Sequence, residues 1–276
     1  MARDSSYYYL KMETHYLENP YYQDKRRVRV LLPKDYYQSD RHYPVLYMHD
    51  GQNVFYSKEA FIGHSWKIIP LIKRNPDLPQ MIVVGIDNHP NRMDEYAPWP
   101  ASGYHDPNVA DLGGDGKLYG EWIVNQVKPF IDNHYRSLAD RRHTMMAGSS
   151  MGGLITAYMG SAYPHIFGNI GVFSLASWFS ENDFLDFIQS HPLYADNKVY
   201  IQVGTNEDDI SDQAFVGQHV SQAYIDASLS YYQALIKSGC SLNQIDLNIF
   251  VDETHNEYYW AKHFPEFMRF IWQDHK

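Results

Sequence analysis

HTMMAGSSMGGLITAYMGSAY, residues 143 to 163, decides how the rest of the chain is read. A short, mostly apolar run, HTMMAG (143–148), leads straight into Gly148-Ser149-Ser150-Met151-Gly152, and a small-residue helical pattern, GGLITAYMGSA (152–162), leaves it. The five residues match G-x-S-x-G, the turn that holds a serine on a sharp strand-to-helix corner with its Oγ exposed. The two glycines stand where a Cβ would meet the strand and helix packed against the turn. Such a pentapeptide arises by chance in roughly one chain in ten of this length, so the strand before it and the helix after it carry the reading. Gly63-His64-Ser65-Trp66-Lys67 begins in the same way but ends in Lys, and Ser65 reads as a helix-cap residue.

Outward from this turn, short β-branched or apolar runs alternate with longer helical patterns. RVRVLL (its core at 28–32), PVLYMHD (44–50), MIVVGID (81–87), IGVFSLA (170–176), KVYIQVG (198–204) and LNIFVD (247–252) read as strands. GEWIVNQVKPFIDNHY (120–135), AYIDASLSYYQALIKSG (223–239) and EYYWAKHFPEFMRFIWQ (257–273) read as helices, with Pro129 and Pro265 predicted to kink or restart two of them. Several strands are apolar throughout, as strands covered on both faces are. The expected class is therefore α/β, a mostly parallel central sheet flanked by helices on both faces. At 276 residues, without internal repeat or low-complexity linker, the chain reads as a single domain over 1–276. The irregular segment 88–117, rich in Pro, Gly, Asn and Asp, is expected to lie over the functional site.

The formal net charge of −10 disfavours phosphate backbones and anionic membrane surfaces, so neither nucleic acid nor membrane is expected as a partner. No run approaches the ~18 to 20 apolar residues that span a bilayer. The opening MARDSSYYYL has no apolar secretory core. Cys240, the only cysteine, forms no internal disulfide and no cysteine metal cage, and a cytoplasmic location is expected. Homo-oligomer formation is left open.

A serine hydroxyl is a poor nucleophile until a base takes its proton, and in the fold that carries this turn the histidine comes last in the chain, after an acid. His255 follows the last strand-like run and precedes the last helix, where a loop at the carboxyl edge of the sheet would bring it to Ser150. The acid is expected after the preceding strand, where Glu207, Asp208 and Asp209 stand in a row; Glu207 is favoured as first past the strand. Its task is to hold one imidazole tautomer and stabilise the imidazolium. An acyl-transfer site also needs two backbone donors for the oxyanion. Met151 supplies one, and Gln52, in the Gly-containing turn after PVLYMHD, the other, while His49 and Asp50 read as residues that hold this loop. Trp99 and Tyr104, with Tyr96, are expected to give the substrate a flat aromatic wall.

LYMHDGQNVF, VVGIDN followed by NRMDEYAPW, AGSSMGGL, YIQVGTNE and ETHNEYYW together resemble the putative-esterase family of α/β hydrolases, in that family's order and from about residue 25 to 272. Esterase D, feruloyl and acetylxylan esterases, siderophore esterases and the mycolyltransferase antigens belong to it. The resemblance implies the α/β-hydrolase fold and a triad of Ser150, Glu207 and His255, since the family's acid falls at the last position of a GTND or GTNE segment. Gln52 falls where the family places its second oxyanion amide.

The expectation is a serine carboxylic ester hydrolase working through an acyl-enzyme, without metal or cofactor, on small-molecule esters of short-chain or aromatic acids, carbohydrate esters among them. Two rival readings are acyl transfer to a sugar and a binding protein that keeps the fold without catalysis. GDGKLYG (114–120) misses the dinucleotide-binding spacing by one position and lacks the Ser or Thr of a phosphate loop. The histidine and carboxylates at 105–111 have no metal-ligand spacing.

Overall fold

The computed structural model describes residues 10–102, 109, 111–208 and 212–273. Its strands, in chain order, are β1 (Met12–Asn19), β2 (Asp24–Leu31), β3 (Val45–Met48), β4 (Ile82–Ile86), β5 (Thr144–Ser150), β6 (Asn169–Leu175), β7 (Lys198–Asn206) and β8 (Ile245–Thr254). The helices are α1 (Gly51–Val54), α2 (Ile68–Arg74), α3 (Arg92–Tyr96), α4 (Gly116–Trp122), α5 (Lys128–His134), α6 (Met151–Ala162), α7 (Glu181–Ser190), α8 (Gln213–Val216), α9 (Val220–Lys237) and α10 (Glu257–Trp272).

Side chains in the central strands alternate between two covered faces, which is why whole strands such as IVVGI are apolar. In β3, Val45 and Tyr47 join one core with Trp122, Ile155 and Tyr231, whereas Leu46 and Met48 join the other with Trp66, Phe264 and Met268. Residues of α4, α5, α6, α7 and α9 thus cover the first face, and α2 and α10 the second. Each fully buried aliphatic or aromatic side chain contributes about 2 kcal/mol of transfer free energy.

The strands pair in the order β1-β2-β4-β3-β5-β6-β7-β8. From β4 to β8 every neighbour is parallel, while β2 runs antiparallel to both β1 and β4. This is the mostly parallel α/β-hydrolase sheet. The edge strand β1, METHYLEN, is an addition to the runs read above; its residues alternate in burial and Tyr16 is exposed.

Pro129 marks a restart, as expected, whereas Pro265 does not interrupt its helix. GEWIVNQVKPFIDNHY runs from α4 through a π-turn at Ile123–Val127 into α5, with Pro129 in the first turn of α5. The wide turn accommodates a residue that has no N–H to give. Pro265 lies inside α10, which remains helical on both sides of it.

The parallel order has one consequence for function. The carboxyl ends of β3, β5, β7 and β8 fall along one edge of the sheet, and these ends or the residues just after them carry Asp50, Ser150, Glu207 and His255.

Candidate active site

At the end of β5 the backbone turns sharply into α6, and Ser150 takes φ 59° and ψ −126°, a positive-φ conformation that side chains rarely adopt. The turn closes because Gly148 has no side chain: a Cβ there would lie 2.3 Å from the Gly152 carbonyl oxygen, which is backbone and cannot yield. At Gly152 a Cβ would stand 3.2 Å from Asp50 Oδ2, tight but not prohibitive. Gly148→Ala should therefore destabilise the protein by roughly 3 kcal/mol or more, read as a lowered Tm or insoluble expression. A Tm equal to wild type would contradict this account of the corner.

The end of β7 builds a second corner. Glu207 is fully buried, and its Oε1 accepts hydrogen bonds from the Gly204 N–H at 2.7 Å and the Ser174 hydroxyl at 2.6 Å. Trp260 Nε1–H donates to Ser174 Oγ at 2.8 Å, so a residue of α10 fixes the group that fixes the acid. Gly204 permits this because a Cβ there would lie 2.1 Å from the Glu253 carbonyl oxygen, where the β7–β8 register shifts. The other carboxylate oxygen, Oε2, lies 2.6 Å from His255 Nδ1. An ionised carboxylate only accepts, so Nδ1 carries the proton and Nε2 is left with the basic lone pair. Asp208 is exposed at the strand end, and Asp209 lies outside the described residues.

Aromatic rings hold the imidazole in place. The Tyr224 ring centroid is 4.6 Å from that of His255, and Trp260 meets it edge-on at 4.9 Å. Tyr224 donates its hydroxyl proton to Asp212 Oδ2 at 2.6 Å, and its oxygen stands 3.4 Å from Ser150 Oγ.

Ser150 and His255 line one open cavity of about 170 Å³ together with Asp50, Arg92, Glu257 and Trp260, and Phe61 and Ile62 form its apolar flank. Arg92 grips Asp50 with two parallel bonds, Nε to Oδ1 at 2.7 Å and Nη2 to Oδ2 at 2.8 Å, and Asn88 Nδ2 also donates to Oδ1. Asp50 holds its loop through these bonds and faces the cavity as well. His49 is buried beside it, with Nδ1 2.8 Å from the Tyr119 hydroxyl, and burial drives its pKa down to about 3, so the ring is neutral.

Met151 and Gln52 each stand in the first turn of a helix, α6 and α1, where backbone N–H groups have no intrahelical acceptor. The Gln52 side chain is tied to Asn88 by bonds in both directions, which fixes the backbone of that turn. The segment 88–117 reaches the cavity through Arg92. Trp99 does not line the cavity; it packs edge-on against Tyr158 and Phe187, where α6 and α7 cover it. Tyr96 is fully buried and its hydroxyl accepts from the Asp50 N–H at 3.0 Å, so it too is a packing residue. Tyr104 lies outside the described residues. Ser65 is buried, and its Oγ accepts from the Lys67 N–H just ahead of α2. Among the described residues no three His, Cys, Asp or Glu side chains converge as metal ligands.

Residues 20–271 match the model of the family described as Putative esterase. The chain belongs to that family. Ester hydrolysis is the reaction class that membership supports. A Bacillus subtilis (strain 168) relative, uncharacterized protein YbbA, is 27% identical over 247 residues, which covers 90% of this chain and 92% of YbbA. Solved structures share the esterase fold. An IroE-like serine hydrolase from Shewanella oneidensis superposes with a TM-score of 0.76 at 20% identity, over 96% of this chain and 81% of the other. A ferulic acid esterase superposes with a TM-score of 0.68 at 19% identity, over 95% and 97%. No helix among the described residues is long and apolar enough to cross a membrane.

Sequence reading singled out Ser150, Glu207 and His255 but not Ser174, Trp260, Tyr224, Arg92 or Glu257, all of which touch or line this site. NRMDEYAPW carried the only available signal for Arg92, as part of the family resemblance.

Proposed function

We propose that this esterase is a serine hydrolase that forms an acyl-enzyme on Ser150, with His255 as general base and Glu207 as the acid that orients it. The observation that carries the reading is the 2.6 Å bond from Glu207 Oε2 to His255 Nδ1 at the wall of the cavity that Ser150 lines. Ser150 Oγ attacks the ester carbonyl carbon while His255 Nε2 takes the hydroxyl proton. The oxyanion so formed is held by the N–H groups of Met151 and Gln52. Collapse breaks the bond to the alcohol oxygen, which leaves with the proton from Nε2. Water then attacks the acyl-enzyme, gives its proton to Nε2, and releases the acid as Ser150 recovers its own. Before attack the Ser150 hydroxyl must turn from Tyr224 toward the imidazole, a tightening that substrate binding supplies in many hydrolases.

The substrate is a small ester with a short acyl chain. The cavity is small, and Phe61, Ile62 and Trp260 give it limited apolar surface, so burying more methylenes gains nothing once the acyl chain extends into solvent. An aromatic acyl group is a second reading, favoured by the aromatic residues Trp260 and Phe61 in the cavity lining and by the likeness to a ferulic acid esterase. Hydrolysis of acetyl, butyryl, feruloyl and palmitoyl esters of one alcohol tests both: kcat/KM for butyryl should exceed that for palmitoyl by at least about tenfold, and a palmitoyl preference would overturn the reading of the cavity.

A further inference from the structure

Glu257 is the first residue of α10, two positions beyond His255, and its placement is fixed from both sides. Asn256 caps the helix by accepting from the N–H groups of Tyr258 and Tyr259. Asn53, itself buried, donates from Nδ2 to Glu257 Oε1 at 2.6 Å and accepts the Phe61 N–H on its own Oδ1 at 3.1 Å. That second bond prevents the amide from turning away, so one carboxylate oxygen is permanently occupied. No other side chain bonds this carboxylate among the described residues; its own backbone N–H is the remaining donor, and the group is only 5% exposed and lines the Ser150 cavity. A carboxylate held mostly out of water with so few donors is costly. A ligand in the cavity can remove that cost.

We propose that Glu257 is a specificity-determining residue whose carboxylate accepts a hydrogen bond from a hydroxyl or ammonium group of the ester, beside the scissile bond. The proposal rests on the reading of Ser150 as the nucleophile of this cavity. The favoured substrate has an apolar body against Phe61 and Ile62, which are 58% and 62% exposed, and a hydrogen-bond donor that reaches Glu257.

The surroundings exclude the other acid of the cavity from this role. Asp50, on the loop after β3, has both oxygens taken by Arg92 and Asn88. Burial and the like charge of Asp50 push the Glu257 pKa up to about 7, against the opposing pull of its own backbone N–H, of His255 from the β8–α10 turn and of Arg92 from α3. Above pH 7 the carboxylate is charged and makes a charge-assisted bond to the donor; below it that bond weakens to a neutral one. The preference for a donor-bearing ester should therefore rise with pH through about 7.

Matched pairs of esters test this without interference from the base. The pairs are 2-hydroxyethyl against propyl butyrate, and nitrophenyl 3-hydroxybutyrate against nitrophenyl butyrate, with 2-(dimethylammonio)ethyl butyrate as the cationic arm. Because both members of a pair rely on the same base, the ratio of their kcat/KM values reports on Glu257. In at least one pair the wild-type protein should favour the donor-bearing ester by about tenfold or more at pH 8.5. The ratio should shrink at pH 5.5, and Glu257→Gln, which turns an amide donor toward the cavity, should bring it to about one or below at every pH. A preference confined to the ammonium ester also supports the proposal and identifies the donor as cationic. Equal ratios in wild type, a pH-independent preference, or a preference that survives in Glu257→Gln would overturn it. Failure of the wild-type protein to hydrolyse any of these esters would instead overturn the esterase reading on which it rests.

Discussion

Replacing Ser150 with alanine should lower kcat for nitrophenyl butyrate by a factor on the order of 10⁴ to 10⁶, with Tm within about 3 °C of wild type. The two halves of that expectation have separate causes. Chemically, the hydroxyl is the attacking group in the proposed mechanism, and without it only the proposed oxyanion donors and the binding cavity remain to act on water. Structurally, the hydroxyl contributes little, since its hydrogen bond to Tyr224 is long at 3.4 Å and the residue is not fully buried. Alanine tolerates the φ of 59° no worse than serine does. His255→Ala should cost a similar factor, and the double variant little more than either alone, because nucleophile and base act as one unit. Initial rates with active-site titration, beside a calorimetric scan, check both halves. Residual turnover above about 1% of wild type in either single variant would contradict the assignment.

Glu207→Gln should lower kcat by about 10³- to 10⁴-fold, whereas Asp208→Asn should leave it within about twofold. The glutamine oxygen can keep the bonds from Gly204 and Ser174, so the amide nitrogen then faces His255 Nδ1. A donor there forces Nδ1 to accept, moves the ring proton to Nε2, and leaves no lone pair to take the Ser150 proton. Asp208 is exposed and has no part in this geometry. Asp209→Asn belongs in the same series, and the largest loss at 208 or 209 would contradict the role given to Glu207.

The central strands were legible because both sheet faces are covered. Runs such as VLYM and IVVGI are apolar at every position for that physical reason, and they appear as β3 and β4 with their ends within a residue or two of those read. METHYLEN escaped notice because β1 is an edge strand whose outer side chains meet solvent, so its hydrophobic signal is halved. The G-x-S-x-G corner was legible because the turn is local: five consecutive residues contain the clash that only glycine at 148 relieves.

What lay beyond reading is the convergence of distant segments. Ser174, Glu207 and Trp260 form one hydrogen-bonded chain from three elements, and nothing in FSLAS marks a serine that will support an acid 33 residues later. Arg92 and Asp50 are 42 residues apart, and neither predicts the other. Trp99 shows the opposite error. An aromatic residue in an irregular segment has two ways to bury its ring, on a substrate or on its own domain, and the positions of Tyr158 and Phe187 decide for the domain. Those positions depend on how α6 and α7 pack, which no local pattern contains.

Whether Ser150 is an activated nucleophile can be measured directly. Treating the purified protein with a fluorophosphonate probe and locating the adduct by peptide mass spectrometry measures that property at a named residue. The account predicts stoichiometric labelling of Ser150, abolished in Ser150→Ala and strongly slowed in His255→Ala and Glu207→Gln. A folded wild-type protein that stays unlabelled, or one labelled at another residue, would contradict it.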